Sequence, residues 1–187
     1  MGNALSVYLC RLLRHAPEDA GLHMDKHGWV GVQELIDGVN RYSKFHLDRT
    51  ALETLVSEDE KGRYRFDETH TRIRCCQGHS VSWVEPILTP AQPPAFLYHG
   101  TTTEAAGEID RSGAILKMAR HAVHMHADPG MAWQSAVRRK NKTPVLLVID
   151  AGRMAGDGFA FAVSDNGVWC TERVPAEYIC DRIFHFA

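Results

Sequence analysis

The chain has 187 residues, with 21 Lys and Arg against 23 Asp and Glu and a formal net charge of −2. That balance excludes a protein that binds nucleic acid by bulk positive charge, while leaving room for a local basic site. An apolar fraction of 44% with 24% charged residues excludes intrinsic disorder and collagen-like repeats, and the length suffices for one domain or two small ones.

The cations are 15 Arg and only 6 Lys, and there are 11 His. Arginine is the residue for a planar, bidentate grip on carboxylate or phosphate, and histidine serves as acid, base or ligand near neutral pH. The five cysteines (Cys10, Cys75, Cys76, Cys170 and Cys180) are odd in number and form no CxxC. They argue against a disulfide framework and for a reducing compartment, so a cytoplasmic location is expected. No apolar run approaches the roughly 20 residues of a membrane helix, and no membrane partner is expected. The first cation, Arg11, follows the apolar N-terminal stretch rather than preceding it, which is not the layout of a signal peptide. Met1–Ser6 also fits the loose myristoylation pattern.

In chain order, Leu5, Leu9, Leu12 and Leu13 fall on one helical face, and Pro17 and Gly21 end that helix, which places Arg14 and His15 at its last turn. Residues 32–39 and 47–56 read as two more short helices. RYRFDETHTRIRCC (63–76) reads as a hairpin: Tyr64, Phe66, Ile73 and Cys75 alternate with Arg63, Arg65, Arg72 and Arg74. Three helices followed by a hairpin is the layout of a winged helix, with four arginines on the second hairpin face. Four of the eight prolines fall in EPILTPAQPP, an extended linker. The expected organisation is a lobe over 1–85, a linker over 86–94 and a second lobe over 95–187. In the second lobe FLYHG suggests a strand ending at Gly100. Residues 102–113 suggest a helix capped by Thr and by Gly113. AVHM suggests a short strand, 128–139 a helix and PVLLVID a buried strand, and FAFAV, NGVWC and YICDRIFHF complete an α+β lobe.

Each candidate site also has a plain structural reading. Arg14–His15 is favoured at a helix C-terminus by the macrodipole alone, or points at an anion beyond it. The hairpin arginines form a solvated face or a row of phosphate donors. In CCQGHS, Cys75, Cys76 and His79 offer three potential metal ligands, but adjacent cysteines point to opposite strand faces and no partner motif completes four, so no metal is expected. Tyr98–Thr102 is a strand-to-helix turn or a place where Gly100 lets a ligand or backbone approach. His124 and His126 share one strand face without visible metal partners, and Asn166–Gly167 is a hairpin turn signal.

Together these segments resemble the RNA 2′-phosphotransferase family (KptA-type, the tRNA-splicing phosphotransferases) over nearly the whole chain. LSVYLCRLLRHAPEDAGLHMDKHGWVGVQELI is similar to the family's opening, with its LRH-x-P, GL and GWV elements. RYRFD and RIRCCQGHS resemble its RF…IR-x-x-QGHS stretch. LYHGTT, the R-x-x-VH segment from Arg120 to His124, SDNGVW and VP…YI follow in the family's order.

The resemblance implies an N-terminal winged-helix RNA-binding lobe and a C-terminal, ADP-ribosyltransferase-like mixed α/β lobe that binds NAD. It implies removal of an internal 2′-phosphate from tRNA-like RNA, in tRNA splicing or RNA repair. The phosphate attacks the nicotinamide ribose to give a 2′-phospho-ADP-ribosylated RNA. Transesterification then releases RNA and ADP-ribose 1″,2″-cyclic phosphate, so that NAD is consumed. The family's essential set falls on Arg14, His15, Arg65 and Arg120, multidentate cations suited to a crowded phosphorus centre. His15 serves as proton donor or phosphate ligand. His99, Gly100 and Thr101, with His124, Ser164 and Asn166, are implied to hold NAD, and Gln77, His79 and Arg63 to meet RNA. Ala122 stands where many members have His, Cys75 replaces a common Ala and Cys170 a common Leu. A monomer is expected. The competing functions are ADP-ribosylation of nucleic-acid 5′-phosphate ends, and a winged-helix regulator that senses NAD without chemistry.

Overall fold

A computed structural model describes residues 2–139 and 141–185. The chain divides into two compact units, one up to Ile87 and one from Leu88 onward.

The N-terminal unit holds helices α1 (Gly2–Arg14), α2 (Val32–Tyr42) and α3 (Arg49–Ser57), with a 3-10 turn at Pro17–Ala20 and strands β1 (Val30–Gly31), β2 (Tyr64–Phe66) and β3 (Arg72–Cys75). The leucine stripe of α1 supplies Leu9, Leu12 and Leu13 to a core that also takes Leu35 and Val39 from α2, Leu52 from α3, and Ile73 and Cys75 from β3. Arg11 and Arg14 occupy the last turn of α1, where cations suit the carbonyl end of the helix. Asp48 caps α3 by accepting from the Ala51 N–H at 2.8 Å, the role short polar side chains play at helix starts. The sheet runs β1-β3-β2 with antiparallel pairs. The hairpin predicted over 63–76 is therefore present, with a third strand at Val30 that a two-residue segment does not announce.

The C-terminal unit contains α4 (Thr103–Ser112), α5 (Pro129–Val137) and α6 (Ala151–Gly156). Its strands are β4 (Leu88–Pro90), β5 (Phe96–Thr102), β6 (Ala114–Leu116), β7 (Val123–Met125), β8 (Pro144–Asp150), β9 (Ala162–Ser164), β10 (Trp169–Thr171), β11 (Arg173–Pro175) and β12 (Ile179–Ile183). Three sheets form, β4-β9-β10-β7, β11-β6 and β12-β8-β5. The strand pairs among the described residues are antiparallel, so the mixed α/β character is of the α+β kind. Val145–Ile149 of β8 is buried throughout, because β8 is the middle strand and is covered on both faces. Thr102 accepts from the Ala105 N–H and Gly113 closes α4 at φ +76°, the two caps expected from the sequence. The core gathers Leu97, Ile109, Met125, Leu147, Ile149 and Met154.

Two expectations are corrected. Strand β5 does not end at Gly100 but continues to Thr102, paired with β8 up to Thr102↔Pro144. The glycine there is a packing device: a Cβ on Gly100 would stand 1.9 Å from the Ala132 carbonyl oxygen of α5, so the helix lies directly on the strand backbone. The hairpin arginines do not form one open face. Arg63 precedes β2 and donates from Nε to Asp59 at 2.8 Å. Arg74 is 2% exposed, with its guanidinium 4.9 Å from the Trp29 ring centroid. Arg72 lies over the same ring and pairs with Asp67 and Asp25. The indole face draws the flat Arg74 cation inward, against the alternation that puts polar residues outside, while Arg72 stays exposed. Within the proline-rich stretch, Leu88–Pro90 forms an edge partner for β9, a position where proline's missing donor is tolerated.

Among the described residues no helix is long and apolar enough to cross a membrane, and no group of three or more His, Cys, Asp or Glu is placed to hold a metal ion.

Candidate functional site

In the N-terminal unit the CCQGHS segment folds back over the end of α1. Gly78, at φ +87°, lies against the Arg14 side chain, and a Cβ there would be 3.5 Å from the guanidinium carbon. Glycine suits the left-handed backbone, while the Arg14 side chain itself is at ordinary contact distance. The Ser80 N–H donates to the Arg14 carbonyl at 2.9 Å, and the Ser80 hydroxyl lies 2.8 Å from His15 Nδ1. One serine thus fixes the backbone of one nominated residue and the ring of the other.

Arg14 Nε and Nη2 are buried and have no hydrogen-bond partner. These two nitrogens share one edge of the guanidinium, the edge that grips a carboxylate or phosphate with two parallel bonds. A buried donor left unsatisfied is costly, and such groups mark places where a ligand completes the bonding. Burial works against the Arg14 charge, but the facing Cys75 and Cys10 sulfurs outweigh it and hold the group above its ordinary range. The guanidinium stays charged while desolvated, which strengthens its pull on an anion.

Arg65 is exposed on β2, directly opposite Arg74 in the β2/β3 register. Arg63 is held by Asp59. Gln77 is half-buried. His79 is 1% exposed and packs on Gly28, where a Cβ would be 2.8 Å from its Nε2, so its imidazole supports the segment from inside.

In the C-terminal unit His99 Nδ1 lies 2.9 Å from the His124 backbone carbonyl. A carbonyl only accepts, so Nδ1 carries the proton, and in the neutral ring Nε2 is the acceptor. Burial lowers the His99 pKa most; the His124 carbonyl opposes this, and Arg139 and Arg120 lower it further, which keeps the ring neutral. Tyr98 and His126 exchange backbone hydrogen bonds at 2.8 and 2.9 Å, tying β5 to the chain beyond β7. Thr101 is buried. The Ser164 hydroxyl donates to Asn166 Oδ1 at 2.8 Å and lies 3.2 Å from the Val168 N–H, so this pair shapes the turn between β9 and β10. Arg120 is exposed, in the turn before β7, with its N–H on the Lys117 carbonyl at 3.0 Å. A cavity of about 340 Å³ is lined by Pro90, Ala91, Gln92, Pro93 and Phe159–Phe161; none of the nominated residues lines it.

Within each unit, then, the structure brings together Arg14 and His15 on one side and His99 and His124 on the other. Sequence reasoning did not nominate Ser80, Gly78 or Trp29 as supports. Ser80 and Gly78 stood in the QGHS signature, and the signal that finds them is the need for something to hold the two residues past the end of a helix.

The profile of the family described as RNA 2′-phosphotransferase, Tpt1/KptA family, matches residues 2–173. A protein of Burkholderia lata called probable RNA 2′-phosphotransferase is 42% identical over 175 residues, covering 94% of this chain and 88% of its own. Proteins of the same description from Rhizobium leguminosarum bv. trifolii (44%, covering 94% and 91%) and Nostoc punctiforme (42%, covering 94% of each) are similar over the same extent. With a desolvated arginine edge beside an anchored histidine, and a match spanning both units, the chain belongs to the RNA 2′-phosphotransferase family.

Proposed function

We propose that the protein is a transferase that removes a 2′-phosphate from RNA and passes it to NAD. The observation that carries this reading is the buried Nε/Nη2 edge of Arg14, without protein partners and next to a histidine whose Nδ1 is held by Ser80. An RNA 2′-phosphate is a compact dianion, and a fixed two-donor edge in a desolvated place recognises it by geometry rather than by bulk charge. That accords with a net charge of −2.

In this reading Arg14 clamps the phosphate, and its grip tightens as charge accumulates on the phosphorus oxygens. Nδ1 anchoring by Ser80 sets the plane of the His15 ring, which places a proton or a hydrogen bond at the departing 2′-oxygen through Nε2. Arg65 and Arg120 add charge from exposed positions. NAD supplies an electrophilic ribose carbon with nicotinamide as its leaving group. The C-terminal unit fits such a substrate, because a neutral His99 with its Nε2 lone pair is an acceptor for a ribose hydroxyl. Thr101, His124, Ser164 and Asn166 shape the neighbouring backbone. The three helices and hairpin of the N-terminal unit act as a winged-helix RNA lobe, and the C-terminal unit as an ADP-ribosyltransferase-like lobe.

The test is incubation with a 2′-phosphorylated oligoribonucleotide and NAD. The reading expects loss of the 2′-phosphate with release of nicotinamide and ADP-ribose 1″,2″-cyclic phosphate. Stable ADP-ribosylated 5′ ends alone would replace it with nucleic-acid end modification, and binding without nicotinamide release would overturn both.

A further inference from the structure

The segment that holds Arg14 and His15 runs on into a tight turn whose tip carries an exposed tryptophan. Ser80 is bonded to both residues. Directly after it, Val81 and Val84 are buried, and the Val84 N–H donates to the Val81 carbonyl at 3.2 Å. These two valines pin the turn from below and leave Ser82 and Trp83 facing outward. Beyond the turn the Glu85 N–H donates to the Lys26 carbonyl at 2.6 Å, and His27 Nδ1 lies 3.1 Å from the Glu85 carbonyl. The tip is therefore anchored on both sides, and it holds Trp83 54% exposed.

An isolated apolar residue on a surface needs no explanation. Trp83 differs in where and how it is presented. It follows Ser80 by three residues, so the two Cα atoms lie within about 11 Å, a span that adjacent nucleotides of one strand cover. The exposed side chains of Lys26 and Glu85 oppose each other in charge where the chain leaves the turn, so the tip offers a ligand an indole face rather than a cation. Helix α3 of the same unit, by contrast, is a poor surface for RNA. Its cation, Arg49, is paired with Glu53, and Glu53, Glu58 and Glu60 are exposed, an arrangement that repels phosphates.

We infer that Trp83 is a stacking platform for the nucleobase next to the 2′-phosphorylated nucleotide. Every base has a π-face, and an indole on a fixed turn receives one with little ordering of its own and without demanding a particular sequence. The dianion then sits on Arg14 and a flanking base on Trp83, so the strand is held at two points on either side of Ser80. This recognises a phosphate together with its RNA context, which a net charge of −2 does not supply by bulk attraction. The inference rests on the reading of Arg14 as a 2′-phosphate clamp and adds to it the class of group that binds beside the phosphate.

The experiment measures binding of 2′-phosphorylated oligoribonucleotides to the full chain without NAD, and 2′-phosphate release with it. The strands carry either a purine or an abasic residue beside the modified nucleotide, on each flank in turn. Wild type is compared with Trp83→Ala and Trp83→Phe, with melting curves showing the variants folded. Loss of one stacked base is expected to weaken binding by roughly fivefold to a hundredfold. An abasic residue on one flank should do this to the wild type, and Trp83→Ala should do it to the intact strand. The two changes together should cost no more than either alone, and Trp83→Phe should recover most of the affinity. In turnover the KM for RNA rises by the same factor while kcat falls less. Losses that multiply, or a Trp83→Ala protein that binds the intact strand like the wild type, would overturn the platform and leave the transferase reading standing. A raised KM for NAD with RNA affinity unchanged would place the cofactor on the ring and overturn it as well. A wild type that shows the coupling but releases no 2′-phosphate would count against the transferase reading alone.

Discussion

The Ser80 hydroxyl lies 2.8 Å from His15 Nδ1 while its own N–H binds the Arg14 carbonyl at 2.9 Å, so one residue registers both nominated groups. Ser80→Ala keeps the backbone bond and releases the ring. The expected result is a fall in kcat for 2′-phosphate release on the order of tenfold, with substrate affinity changed less, since a reoriented base or acid acts mainly in the transition state. A variant with unaltered kcat would remove Ser80 from the positioning of His15.

Gly78 is held to glycine by its φ of +87°; the Arg14 side chain, 3.5 Å from where a Cβ would be, is at ordinary contact distance. Gly100 is more severely placed, because the obstacle is the Ala132 carbonyl in a helix backbone at 1.9 Å. Gly100→Ala is expected to lower stability by about 2 kcal/mol or more, as overpacking of a rigid element does. Thermal unfolding checks this, and a melting temperature equal to the wild type would mean that α5 shifts freely.

Asp67 accepts from the Thr71 and Arg72 N–H groups in the turn between β2 and β3, and these bonds, Arg72's foremost, lower its carboxyl to about 2. A carboxylate depressed by folding stabilises the fold above the ordinary range near 4 and loses that contribution as pH falls towards about 2. Asp67→Asn should therefore melt below the wild type at pH 7, with the gap closing in acid. A gap that is constant with pH would show that the charge is irrelevant there.

His99 is depressed by burial, so it should stay neutral through pH 6.5 and titrate below the ordinary histidine range in an NMR titration. As folding lowers this pKa, the fold is favoured above that range and loses that advantage as pH drops below it, when the unfolded chain takes up the proton first. A midpoint at or above 6.5 would contradict the assignment of Nε2 as a hydrogen-bond acceptor.

Much of this was legible in the sequence where one local signal decided the outcome. Thr102 and Gly113 bracket α4 because a hydroxyl and a left-handed glycine solve the two ends of a helix. Residues 144–150 form a strand because a continuous apolar run must be covered on both faces. Legibility failed where distant partners decide. Arg74 alternates correctly for an outward strand position, yet Trp29, far away in sequence, draws it inside. Gly100 looked like the end of a strand or a ligand approach, and only α5 explains it. Helix α6 carries Gly152 and Gly156 and has no periodic stripe, so nothing local distinguishes it from a loop. The Arg14–His15 pair was visible as a motif, but the burial of the Nε/Nη2 edge required the fold.

The central claim is that this buried edge of Arg14 clamps the RNA 2′-phosphate. It is tested most directly by single-turnover release of the 2′-phosphate from a 2′-phosphorylated oligoribonucleotide at saturating NAD, comparing wild type with Arg14→Lys and Arg14→Ala variants whose melting curves show them folded. A lysine keeps the charge but offers no two-donor edge. Both variants are expected to slow the step by roughly a hundredfold or more, with lysine recovering little. A lysine variant within about twofold of the wild type would show that charge alone suffices, and an alanine variant at the wild-type rate would show that Arg14 does not hold the phosphate.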